Sequence, residues 1–229
     1  MKETISEIRR KIRTRDNGPA VDTMRKLGIN YKTIHGLSIA EIKGIAQAYQ
    51  FNHNLALELW KWDHREFKIL ATFVEDPKTV SLEQMAEWGQ SLNNSELAEQ
   101  LVINLAFLTG KADIIIPTWF ESTNQFTKKA AAVLLAWAAQ RATNISDAFY
   151  TNQLKKLSTV IDDNLQLSKG ISFAYRAIGK RNIFLNTKAI EELKRLKKEG
   201  STNSNYIVED ALWELESDII KDKLKKQTR

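Results

Sequence analysis

The sequence predicts an all-α protein, a right-handed α-solenoid or superhelix of stacked helix pairs, and three observations carry that expectation. Apolar residues recur at spacings of three and four almost everywhere, whereas alternation with β-branched residues barely occurs. The composition, 43% hydrophobic and 27% charged with nine Gly and three Pro in 229 residues, is that of a folded, helix-rich chain. The gaps between helical stretches are mostly short, about two to seven residues, which favours antiparallel neighbours stacking in series.

The elements follow in order. A polar amphipathic helix covers 2–15 and lacks the apolar centre of a secretory signal. Asn17-Gly18-Pro19 opens a helix over 19–27, with Pro near its first position, where a missing N–H costs nothing. Ser38 with Glu41 reads as a capping box for 38–50, and a helix over 53–62 follows. Asp63 with Glu66 reads as a second box for 64–74, and Ser81 with Gln84 as a third for 81–92. Helices over 95–109 and 111–121 come next, although Ile114 to Pro117 is the one strand candidate in the chain.

The helix over 125–142 holds the longest apolar run, Ala130 to Ala139, too short to span a bilayer and therefore a buried helix. Helices over 146–161, 165–181 and 187–199 follow, the last stopped by Gly200. The most polar break, 200–205, precedes one final helix over 205–226 rather than a second domain, so residues 1–229 read as a single domain. No fixed-period signature of the tetratricopeptide or ankyrin kind is present, which leaves divergent HEAT-like pairs as the expected repeat.

Lys plus Arg exceeds Asp plus Glu by 34 to 28, a net charge of +6 with the sign a nucleic-acid partner requires. The cations concentrate in a few places, among them Lys128–Lys129 and the stretch from Lys169 to Arg181. Cysteine is absent, which excludes disulfides and thiolate metal sites and permits a cytoplasmic location. His35, His53 and His64 lack metal-ligand spacing, so no zinc site is expected, and no cofactor is expected either. A soluble, cytoplasmic monomer without membrane contact is the expectation.

The stretch KGISFAYRAIGKRN, Lys169 to Asn182, shows two adjacent stripes at helical spacing. Ile171, Ala174, Tyr175 and Ile178 make an apolar seam. Lys169, Phe173, Arg176 and Lys180 make the second, three cations around one ring, a combination suited to phosphates and something stackable. The structural alternative places Phe173 in the core beside solvated charges.

Arg176-Ala-Ile-Gly-Lys-Arg-Asn182 resembles a run in AlkD-type alkylpurine DNA glycosylases, the DNA alkylation repair family. Further pieces agree in the same order: Leu55 to Trp60 followed by Arg65-Glu66 and Leu70-Ala71, then Glu87-Trp88 with Leu101 to Leu105, then Asn124 to Leu135. The resemblance runs from about Asp22 to the last helix.

It implies a curved HEAT-like array that holds duplex DNA on a basic concave face and excises cationic N3- and N7-alkylpurines. A carboxylate stabilises the oxocarbenium-like sugar left by the departing base, and aromatic faces add a cation–π term of roughly 0.5–2 kcal/mol each. By the same resemblance, Phe173 stands where the family has a sugar-facing Trp, and Glu99 best matches the acid. The first aromatic falls near Ser95, where there is none; Trp88, from the preceding helix, is the candidate replacement. Lys129 matches a phosphate-binding Arg, with Lys128 beside it, and Lys169, Arg176, Lys180 and Arg181 complete the expected DNA contacts. Two functions follow as expectations: an alkylpurine glycosylase, or an inactive relative that binds bent or branched DNA. A solenoid that binds protein instead is the third.

Overall fold

A short polar side chain opens most helices of this chain. In the computed structural model, which describes residues 1–161, 164–199 and 202–227, Asn or Ser oxygens at ten helix starts accept a backbone N–H from the first turn. Each such cap contributes about 1 kcal/mol and fixes where a helix begins. The chain forms two compact units, Met1–Gly110 and Lys111–Arg229.

The first unit contains α1 (Lys2–Arg13), α2 (Gly18–Lys26), α3 (Ile39–Ala46), α4 (His53–Trp60), α5 (Arg65–Val74), α6 (Leu82–Gln90) and α7 (Ser95–Leu101). Helix α5 is its centre and packs on α3, α4 and α7. It is buried nearly all round, including Phe67, Ile69, Leu70, Ala71 and Val74. The helix expected over 95–109 changes pitch: α7 widens to a π-helix over Val102–Ala106 and tightens to a 3-10 turn over Phe107–Thr109, ending at Gly110 with φ 70°. A positive φ there suits glycine.

The second unit contains α8 (Ala112–Phe120), α9 (Gln125–Arg141), α10 (Asp147–Thr159), α11 (Leu165–Gly179), α12 (Ile183–Glu199), α13 (Thr202–Leu215) and α14 (Asp218–Gln227). Helix α11 is its hub, packing most extensively on α9 and also on α12 and α13. The run from Ala130 to Ala136 is buried, as a run apolar on every face requires.

Several sequence expectations change. Ser38 and Glu41 form the full capping box, but at Ser81 only half of one forms, because the Gln84 amide turns to Glu75 at 2.6 Å. The Asp63–Glu66 box does not form. His64 caps α5, its ring accepting from Phe67 N, while Asp63 accepts from Lys32 N and Glu66 turns inward to the N–H groups of His35 and Gly36. The helix expected over 111–121 forms as α8 and takes in the strand candidate Ile114 to Pro117. The last long helix is two, broken at Glu216–Ser217, and the helix expected from 187 already starts at Ile183. Gly200 lies outside the described residues. No helix among the described residues is long and apolar enough to cross a membrane.

Candidate nucleic-acid interface

Helix α11 has three packed sides. A Cβ on Gly170 would lie 3.3 Å from Lys129 Cγ and 3.5 Å from Ala132 Cβ, which marks the side against α9. A Cβ on Gly179 would fall 2.7 Å from both Leu215 methyls, and the Ser172 hydroxyl bonds Asp210, which marks the side against α13. The Tyr175 hydroxyl donates to the Leu154 carbonyl of α10 at 3.0 Å and marks the third. At about 100° per residue the remaining arc carries Lys169, Phe173 and Lys180, with Arg176 at its edge towards α13. Lys169 is exposed and Phe173 half-buried, so Phe173 is not part of the core.

The relation between α9 and α11 is set at both ends. Asn164, the cap of α11, donates from its amide to the Gln125 side chain at the first residue of α9, 2.6 Å away. At the opposite end Arg181, just past α11, donates to the Ala139 carbonyl near the end of α9 at 2.9 Å. The two helices therefore run parallel with their N-termini together.

Parallel N-termini concentrate positive potential. Each helix start carries the equivalent of about half an elementary charge and leaves backbone N–H groups unpaired. Neither helix has an acid in its first turn, and Lys128, Lys129 and Lys169 sit within the opening turns of the pair. A cation so placed costs about 0.3–1 kcal/mol against the dipole, so helix stability does not explain these lysines. Lys129 is 4% exposed, with its stem against Gly170, and glycine at 170 is what lets the two helices approach. Such a surface attracts phosphate.

Further along α11 the cations have partners within the protein. Glu214 of α13 lies 3.3 Å from Arg176 and 2.7 Å from Lys180, and Asp210 lies 3.4 Å from Arg176. These pairs tie α13 to α11. Arg181 sits over the Tyr150 ring at 4.9 Å and lies 3.8 Å from Asp147.

The expected acid belongs to the other unit. Glu99 is half-buried on α7, in the turn before the helix widens to π, and Ser95 is the first residue of that helix. Its neighbour Glu96 does not simply face solvent, because Arg65 holds it with two bonds at 2.6 and 2.7 Å. Trp88 does not replace the missing ring. It is 2% exposed and stacked on Trp60, with centroids 4.1 Å apart and planes 2° apart, so neither face is open to a sugar. Among the described residues, no group of three or more His, Asp or Glu is arranged to hold a metal ion.

Sequence reasoning missed two features. The acids at 210 and 214 match the four-residue spacing of the cations at 176 and 180, a signal that was readable. The link between Asn164 and Gln125 joins two uncharged amides far apart in the chain and left no signal.

Comparison with known proteins adds three findings. Residues 8–215 match the family described as DNA alkylation repair enzyme. A stretch of 100 residues, 42% of this chain, is 29% identical to an uncharacterized protein, Lin0241, of Listeria innocua, and the match spans 44% of that relative's length. A solved structure superposes with a TM-score of 0.72 at 13% identity, covering 96% of this chain and 95% of the other. It is described as representing a new family of proteins related to the HEAT-like repeat DNA glycosylases with affinity for branched DNA structures. The fold is thus the HEAT-like helical one that the resemblance implied.

Proposed function

The chain belongs to the DNA alkylation repair enzyme family, and we propose that it binds double-stranded DNA through the joined N-termini of α9 and α11. Lys128 and Lys169 meet phosphates with the buried Lys129 adding its charge beneath them, Phe173 offers a ring to the sugar–base side, and Arg176, Lys180 and Arg181, each held by an acid of the protein, are the further cations a strand reaches along α11. The observation that carries this reading is the parallel pair itself, two helix starts side by side with three lysines in their opening turns and no acid in either first turn. The affinity of the structural relative for branched DNA supports it.

The test is fluorescence anisotropy with a labelled duplex and a four-way junction of the same sequence, at several salt concentrations. Binding should weaken steeply with salt, since log K falls by about 0.9 per phosphate contact for each decade of salt. Affinity insensitive to salt contradicts the reading.

A second reading, excision of cationic N3- or N7-alkylpurines, rests on family membership and Glu99. The alkylated base is already a good leaving group, and hydrolysis of its N-glycosidic bond passes through a cationic sugar that a carboxylate stabilises. The burial of Trp88 favours binding without excision, because its ring does not stand in for the aromatic missing near Ser95. Incubation with methylated duplex and measurement of released 7-methylguanine and 3-methyladenine separates the two. Release that is abolished by Glu99→Gln supports excision; equal release by that variant excludes Glu99 from the reaction.

A further inference from the structure

At the far end of α11 from the paired N-termini lies a cleft of about 680 Å³ in the second unit. Gln140 at the end of α9, Asp147 at the start of α10, Lys180, Arg181 and Asn182 after α11, and Lys223 of α14 line it. Its walls are fixed by bonds already made. The Asn182 side chain donates to one Asp147 oxygen at 2.8 Å and accepts from Leu185 N at 2.8 Å, capping α12. The Ala139 carbonyl, 2.9 Å away, and the Tyr150 ring hold the Arg181 guanidinium in place.

The charges do not cancel. Among the described residues Asp147 is the one acid on the wall and pairs with Arg181, and Glu214 answers Lys180. That leaves Lys223, which has no ion-pair partner among the described residues, as a spare cation in a concave site. A preset guanidinium, two ammonium groups and side-chain amides suit a phosphoryl oxyanion.

We propose that this cleft binds a phosphoryl group, supplied by a DNA strand that runs along α11 from the paired N-termini. Lys169 and Lys180 are eleven residues apart, roughly 16 Å of helix at 1.5 Å per residue. A strand advancing about 3.4 Å per nucleotide covers that distance in about five nucleotides. The strand assignment rests on the DNA-binding reading; phosphoryl binding by the cleft does not.

The experiment titrates the 229-residue chain, isotope-labelled for NMR, with inorganic phosphate, and with sodium chloride at matched ionic strength. Phosphate should give saturating shifts at the Asn182 and Gln140 side-chain amides that chloride does not. Lys223→Glu should abolish them, and Lys223→Arg should keep them. Lys223 is exposed on α14, and unchanged far-UV circular dichroism confirms that its variants fold. Equal shifts with chloride, or undiminished phosphate shifts in Lys223→Glu, overturn the site. In a second arm, Lys223→Glu should lower duplex affinity about tenfold, as loss of a phosphate contact does. Phosphate binding with unchanged duplex affinity overturns the strand as the source and leaves free phosphate as the ligand. Intact phosphate titration in a protein that binds no DNA at all overturns the DNA-binding reading alone.

Discussion

The Asn164 side chain bonds Gln125 at 2.6 Å, joining the first turns of two helices that the chain separates by 39 residues. It also caps its own helix by accepting from Leu167 N at 2.9 Å. One amide therefore sets both where α11 begins and how it lies against α9.

Replacing that amide by a carboxylate separates stability from binding. Asn164→Asp keeps the cap and places an anion at two helix starts, which favours the fold by about 0.3–1 kcal/mol. It loses the donor to Gln125 and puts negative charge where phosphate is expected. Thermal melts should stay within a few degrees of wild type while duplex affinity, read by anisotropy, falls about tenfold.

Trp88 should behave as a packing residue. Trp88→Ala leaves Trp60 facing a cavity and should cost about 3–5 kcal/mol in urea unfolding. Trp88→Phe should recover much of that loss. Both should bind DNA like wild type once the folded fraction is counted.

Glu214 restrains two cations on α11. Its partners are a quarter to a third exposed, so the pairs contribute little after solvent screening, and Glu214→Gln should cost no more than about 1 kcal/mol. Lys180 is then released, Arg176 keeps only Asp210, and one negative charge is gone. Duplex affinity should rise about threefold, with a steeper salt dependence.

His64 makes stability depend on pH. Burial pushes its imidazole down to about 3, with His35 and Arg9 adding to the push. The Glu66 carboxylate, 3.4 Å from Nδ1, acts the other way, but Arg65 and the N–H groups of His35 and Gly36 already engage it. An unfolded imidazole takes up its proton below about 6.5, which the folded one resists until near 3. The contribution is therefore complete above about pH 6.5 and declines as the pH falls, by up to about 1.4 kcal/mol per unit. Urea unfolding at pH 6.5 and 5 should show that slope in wild type, and His64→Asn, which keeps an acceptor for the α5 cap, should flatten it.

Much of the fold was legible because local chemistry decides it. Asn and Ser caps, the apolar spacing and Pro19 place most helix starts to within a residue or two. Legibility failed where a distant group won over a local one. Glu66 abandons a capping role for His35 and Gly36, thirty residues away, and Gln84 turns to Glu75. The Ile114 to Pro117 run, strand-like by composition, lies inside the helix expected over 111–121, with Ile115 and Ile116 buried and Ile114 and Pro117 exposed. At the candidate interface the stripe Lys169–Phe173–Lys180 was visible as spacing on α11. Its neighbours were not, since spacing within one helix says nothing about which helix lies beside it.

The central claim is that the paired starts of α9 and α11 grip DNA. The most direct test is duplex affinity of wild type and Lys169→Glu, measured by anisotropy across a range of salt. Lys169 is exposed, so the variant should melt like wild type. Affinity should fall about tenfold, and the slope of log K against log salt should lose about one unit. Unchanged affinity and slope in a folded variant contradict the claim.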